Sequence, residues 1–285
     1  APLCLVLEPT YELVEQTQTN LCHFCSKLSD PSICSLAVVG GGDTRRIMDT
    51  LERGVEAVVG TPARVCDMVE SEAIATSSLQ LLILDEADQL LSSGQTARFV
   101  ERLLDVIPRF VGTRRLQVIC CSATLRNQAI NRFAERYMHF PTWIDLKGMD
   151  AVGETVHHVA CPVDAANDKT WIRIMHSGNH LEDDHVHVPA EIRPGSSCEE
   201  TLSFGTKVLK GLYVLKAMIF CRTKQQCDQM EAYLNRNGHE AVCLHGDRSP
   251  DQRKAALSAF KQLTIPFLIC TDVAARGLDV RGVPY

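Results

Sequence analysis

The chain has no hydrophobic run approaching the roughly eighteen residues that a membrane span needs, so no transmembrane helix is expected. It has no positive excess either: 29 Lys and Arg stand against 35 Asp and Glu, a formal net charge of −6. That balance excludes a broad basic surface and leaves any nucleic acid to a local groove. A matched cysteine set is also missing. The count of 13 is odd, and the residues are scattered through strand-like segments such as Cys120-Cys121 and Phe220-Cys221. A disulfide framework is not expected, and a reducing compartment, cytosol or nucleus, is. No signal peptide is read at Ala1–Leu7, which has no basic lead and runs straight into Pro9-Thr10. That stretch reads as a strand entered midway, and Val283-Pro284-Tyr285 stops as abruptly, so both ends read as cut. Finally, no Gly-x-x-x-x-Gly-Lys-Ser/Thr phosphate loop occurs between residues 1 and 285.

What is present is an ordinary globular composition, 45% hydrophobic and 22% charged, over 285 residues, enough for two compact units. Short apolar runs alternate with helical patterns at Leu3–Leu7, Leu36–Val39, Val55–Val59, Leu79–Leu84 and Gln117–Cys121. Their β-branched content and flanking Gly, Pro and Asp favour strands of a parallel sheet covered on both faces. Residues 1–146 therefore read as one α/β domain. Residues 147–205 read as an interdomain linker or insertion with a strand candidate at Thr155–Val163 and a short helical stretch around Trp171. A second α/β domain, 206–285, carries runs at Ala217–Cys221, Glu240–Leu244 and Pro266–Cys270.

The strongest chemical signal is Leu81-Leu82-Ile83-Leu84-Asp85-Glu86-Ala87-Asp88, an apolar strand delivering three acids at its carboxyl end. Ligands of open α/β sheets bind at that edge. An aspartate there can hold Mg²⁺ on nucleotide phosphates, and a neighbouring glutamate can orient or deprotonate water. Taken alone, the tetrad reads equally well as a solvated acidic turn.

Asp85-Glu86-Ala87-Asp88 is the defining motif of the DEAD-box helicases, and the chain resembles that family in order and spacing almost end to end. Pro9-Thr10-Tyr11-Glu12-Leu13 is similar to Pro-Thr-Arg-Glu-Leu, Gly41-Gly42 to the paired glycines, and Thr61-Pro62-Ala63-Arg64 to Thr-Pro-Gly-Arg. Then follow Ser122-Ala123-Thr124, Ile219-Phe220-Cys221-Arg222-Thr223, His245-Gly246-Asp247 with Arg253, and Thr271–Asp279. Met138–Trp143, Arg193-Pro194-Gly195 and the long interdomain segment most resemble the member with a SPRY domain inserted after its Walker A motif.

The resemblance implies two RecA-like domains joined by an extended linker, both truncated, with ATP and Mg²⁺ as cofactors and RNA as a largely sequence-independent partner. It implies hydrolysis coupled to local duplex unwinding. Asp85 would hold the metal, Glu86 would position water, and Asp88 would bond Ser122 and Thr124. Thr10, Gly41, Gly42, Thr61 and Arg64, with Arg222, Thr223 and Thr271, would grip RNA phosphates; Asp279 would reach the ribose and Arg276 the cleft. The family's phosphate loop lies upstream of Ala1 and its last arginines downstream of Tyr285, so the 285 residues alone are expected to be inactive.

Each motif also has a bland reading: a Gly-Gly turn, a Thr-Pro helix start, a Ser-Ala-Thr cap. Cys22-His23-Phe24-Cys25 reads as a buried helix face rather than a metal site, and His176, His180, His185 and His187 as a solvated loop. Three departures from the family stand out: Tyr11 for arginine, Ala63 for glycine, and a short Gly211–Lys216 segment that reads as a deletion. A non-enzymatic RNA-binding scaffold and a DNA translocase of the same superfamily are the rival readings. The intact Asp85-Glu86 pair argues against the first, and Asp-Glu-Ala-Asp with Ala-Arg-Gly-Leu-Asp against the second.

Overall fold

The structure is a computed structural model describing residues 1–28, 33–92, 94–124, 127–145, 216–275, 277, 278, 280 and 283. The chain divides into two compact units, Ala1–Leu146 and Lys147–Tyr285. The expected strand at Thr155–Val163, the helical stretch at Trp171, the four linker histidines and the short segment up to Leu215 lie outside the described residues.

In unit 1 five four-residue strands, β1 (Cys4–Leu7), β2 (Ser35–Val38), β3 (Ala57–Gly60), β4 (Leu81–Leu84) and β7 (Gln117–Cys120), form one parallel sheet in the order β2-β3-β1-β4-β7. The central runs are apolar at nearly every position because helices cover both faces. Leu5, Leu7, Leu82 and Leu84 pack on one face; Val6, Val59 and Ile83 pack on the other around Val14 of helix α1 (Tyr11–Cys25). Leu7, Val58, Leu82 and Leu84 are fully buried, each worth roughly 1.5–3 kcal/mol. At Gly60 a Cβ would lie 2.5 Å from Val65 Cγ2 and 2.6 Å from the Val38 carbonyl, so the close approach of β3 to its neighbours demands glycine.

The helices between the strands start on polar caps. Thr10 Oγ1 accepts from the Leu13 amide at the head of α1, Asp43 accepts from Arg45 and Arg46 at α2 (Thr44–Arg53), and Thr61-Pro62 opens α3 (Pro62–Glu70). Helices α4 (Ala87–Ser92), α5 (Gly94–Val106) and α6 (Gln128–Tyr137) complete the unit. Asn127 caps α6, so Ser122-Ala123-Thr124 is not the helix cap of its bland reading. A two-stranded antiparallel hairpin, β5 (Phe110–Val111) and β6 (Arg114–Arg115), is an addition to the expected elements.

The Cys22–Cys25 segment is helical, but its expected burial is wrong: Cys22, His23 and Phe24 are exposed. Gln18 already donates to the carbonyl of Ser35, the first residue of β2, so the last turn of α1 runs past the sheet edge.

Unit 2 has a three-stranded parallel sheet in the order β8 (Ala217–Cys221), β10 (Phe267–Thr271), β9 (Ala241–Leu244). Helices α7 (Lys224–Arg236) and α8 (Pro250–Lys261) both open on capping boxes, Thr223 with Gln226 and Ser249 with Gln252, and a short α9 (Asp272–Ala275) follows β10.

Candidate functional site

The carboxyl edge of the unit 1 sheet collects most of the chemistry. One residue beyond the paired register, the ladder continues through Glu8 N to Gly60 O (3.0 Å), Asp85 N to Leu7 O (3.0 Å) and Cys121 N to Leu84 O (2.9 Å). Thr61, Glu8, Asp85 and Cys121 thus stand side by side across β3, β1, β4 and β7. Asp85 Oδ1 accepts from the Glu86 amide at 2.9 Å, which turns the chain sharply out of β4. Glu86 sits at φ 46°, a left-handed conformation that a non-glycine residue adopts only where its surroundings enforce it.

Two residues after Glu86, Asp88 is buried and its Oδ2 accepts from Thr124 Oγ1 at 3.0 Å, joining the start of α4 to the segment after β7. Ser122 Oγ accepts from the Thr124 amide at 3.1 Å and so braces that hydroxyl. The structure therefore brings Asp85, Glu86, Asp88, Ser122 and Thr124 onto two neighbouring strand ends.

Sequence reasoning missed Glu8. It is fully buried, Thr17 Oγ1 of α1 donates to its Oε1 at 2.7 Å, and its Oε2 has no partner among the described residues. Burial, partly offset by the Thr17 bond and reinforced by the charges of Asp85 and Glu86, pushes its carboxyl from the usual 4.5 up to about 7. The available signal was register: a strand paired to β4 residue for residue places its next position beside Asp85.

The acids beside Asp85, Glu86 and Glu8, offer oxygen, which suits a hard Mg²⁺, an ion that needs only one or two carboxylates when phosphates and waters supply the rest. Asp85 is half-buried at a strand end and fits that role.

Thr10, Gly41, Gly42, Thr61 and Arg64 lie on the other half of the same edge, after β1, β2 and β3. Gly41 takes φ 76° with open space where a side chain would stand. Arg64 Nη2 donates to Thr44 Oγ1 at 2.8 Å, tying the first turns of α2 and α3 together. Thr61 makes no side-chain cap bond, whereas the Thr10 oxygen is engaged as one. Tyr11, the residue in place of the family's arginine, donates its hydroxyl to Glu15 at 2.7 Å, and Ala63 is exposed.

In unit 2, Arg222 and Thr223 follow β8 and Thr271 ends β10, a neighbouring strand; Arg222 is exposed, and the Thr223 oxygen accepts the α7 cap bond. Arg276 and Asp279 lie outside the described residues. A polar network sits nearby: Arg248 Nη2 donates to Asp228 (2.7 Å) and Glu231 (2.6 Å), its Nε to His245 Nε2 (3.3 Å), and His245 Nε2 lies 3.1 Å from Asp228. Among the described residues Asp228, Cys243 and His245 are the group close enough to share a metal. The Arg248 guanidinium already supplies the positive charge there, and burial raises the Cys243 thiol well above its ordinary value, so the cluster reads as structural.

Residues 1–133 match the DEAD/DEAH box helicase family, and residues 206–285 the helicase conserved C-terminal domain. Over its whole length the chain is 44% identical to ATP-dependent RNA helicase DDX1 of Xenopus laevis, covering 41% of that protein, and 44% identical to Ddx1 of Drosophila melanogaster, covering 40%. The chain thus spans about two fifths of these relatives, which are of the SPRY-containing type. Among solved structures, S. cerevisiae Dbp5 bound to RNA and ADP BeF3 aligns with a TM-score of 0.76 at 20% identity, covering 99% of this chain and 61% of that one, a likeness of fold to a protein with two RecA-like domains. With two helicase domains matched in series, the first carrying the Asp85–Asp88 tetrad at the tip of β4, the chain belongs to the DEAD/DEAH box helicase family.

Proposed function

We propose that this chain is the core of an ATP-dependent RNA helicase, which binds RNA phosphates and couples ATP hydrolysis to local duplex unwinding. The observation that carries the reading is the carboxyl edge of unit 1, where one sheet presents acids on the β4–β7 side and glycine, hydroxyl and guanidinium groups on the β2–β3–β1 side. Asp85 holds Mg²⁺, which supplies charge neutralisation on the phosphates. Glu86 orients the attacking water and takes its proton. Thr124, bonded to Asp88, transmits rearrangement of the acid turn to the segment after β7. Thr10, Gly41, Gly42, Thr61 and Arg64, with Arg222, Thr223 and Thr271, contact phosphate and sugar, which gives binding largely independent of sequence. Asp279 and Arg276 serve the nucleotide by resemblance alone. Residues 147–205 act as linker between domains 1–146 and 206–285, and the odd, scattered set of 13 cysteines supports a cytosolic or nuclear site.

In the full-length protein, Glu86→Gln is expected to retain ATP and RNA binding while turnover falls on the order of 10²–10⁴-fold, because the amide keeps the shape and loses the base. Steady-state ATPase with and without RNA checks it; turnover within a few fold of wild type removes Glu86 from the role.

A further inference from the structure

Glu8 is a carboxyl that the reading above does not use, and its position is unusual on three counts. It is fully buried, although buried acids are rare unless paired. It is fixed by one specific bond, Thr17 Oγ1 to Oε1 at 2.7 Å, while Oε2 has no partner among the described residues. And it follows β1 in register with Asp85, in electrostatic reach of both Asp85 and Glu86. An orphaned buried oxygen costs about 1–3 kcal/mol, and proteins answer that cost with an ordered water where the surroundings are polar. Because Oε2 has no hydrogen-bond partner among the described residues, no direct bond joins it to Asp85, whereas a water between them can donate to one and bridge to the other.

We propose that Glu8 is a positioning residue of the hydrolysis centre, a further carboxyl that holds a water molecule shared with Asp85. Thr17 fixes the carboxyl in place, and α1, whose head is Thr10, thereby bears on the acid turn. With a metal on Asp85, that water would lie beside it, and Glu8 would influence how the metal is held without being one of its ligands. The backbone supports the assignment. The Glu8 backbone is held by its amide bond to the Gly60 carbonyl and by Pro9 directly after it, and the Thr17 bond orients the carboxyl.

The inference rests on the ATP-hydrolysis reading, and the experiment separates the two. In the full-length protein, wild type must show RNA-stimulated ATPase; if it does not, the reading itself falls. Given that activity, Glu8→Gln is expected to lower kcat about tenfold with KM for ATP within twofold. It is also expected to raise, about threefold, the Mg²⁺ concentration at half-maximal binding of a fluorescent ATP analogue, a binding measurement that needs no turnover. Thr17→Val, which keeps the carboxyl but removes its anchor, should shift both quantities in the same direction by a smaller factor, and it decides the matter if Glu8→Gln does not fold. Folded Glu8→Gln, or in its default Thr17→Val, with wild-type kcat and wild-type Mg²⁺ dependence overturns the assignment.

Discussion

Two acids, Glu8 at the β1 end in unit 1 and Asp228 on α7 in unit 2, have opposite electrostatic fates. Around Glu8 the neighbouring charges are Asp85 and Glu86, of its own sign, and its carboxyl rises to about 7. At Asp228 burial also works against ionisation, but the His245 hydrogen bond and the Arg248 guanidinium outweigh it and hold the carboxyl below its usual range. Unit 2 has spent its acids on itself, with Arg248 gripping Asp228 and Glu231 and Lys224 bonded to Asp247. Unit 1 has gathered like charges at one strand edge, an arrangement that an external cation relieves. The difference teaches where to look for ligand chemistry: at acids the protein leaves repelling one another.

The comparison predicts opposite responses to pH and mutation. The largest effect belongs to Glu8. Its raised value means that the folded state keeps a proton which the unfolded chain releases, so stability falls as pH rises from about 4.5 through about 7. The full span is about 3 kcal/mol, and Glu8→Gln should abolish this contribution. Urea midpoints at about pH 5 and about pH 8 for the two proteins, followed by a probe in unit 1, report it. Equal pH slopes would erase the contrast between the units.

Next in size, Arg248→Ala strands two acids that unit 2 had neutralised and should cost about 1–3 kcal/mol, read as a lower melting temperature for unit 2. An unchanged melt would show that Asp228 and Glu231 are not held by charge. The smallest effect concerns the other half of the unit 1 edge. Arg64→Ala should weaken RNA binding by only a few fold, about equally for unrelated sequences, and reduce the salt slope by about 1. Binding isotherms at several salt concentrations measure it, and loss confined to one RNA sequence would assign Arg64 to base reading.

The parallel strands and the Asp85–Asp88 turn were legible because buried runs such as Leu81–Leu84 have no other stable use between helices. Strand pairing was not. Glu8 and Asp85 are 77 positions apart by number, and only the observed β1–β4 register makes them neighbours, which is why the sequence suggested Asp85, Glu86 and Asp88 and the structure adds Glu8. The β5–β6 hairpin escaped notice since two-residue strands around Gly112-Thr113 are too short for alternation to register. Periodicity rightly made Cys22–Cys25 helical yet could not reveal that the sheet ends at Ser35 before that turn. The unit 2 network joins Asp228, Glu231, His245 and Arg248 from α7 and from beyond β9, a proximity with no local motif behind it.

Cys121, the neighbour of Asp85 across β4 and β7, carries an exposed thiol that desolvation and the charges of Asp85 and Glu8 hold above its ordinary value. Only the thiolate is alkylated. The protein therefore contains its own gauge of local potential. A cation settling beside Asp85 should draw the Cys121 thiol downward and quicken its reaction with a maleimide, while Cys22 and Cys34, exposed but remote from that edge, keep a constant pace as internal clocks.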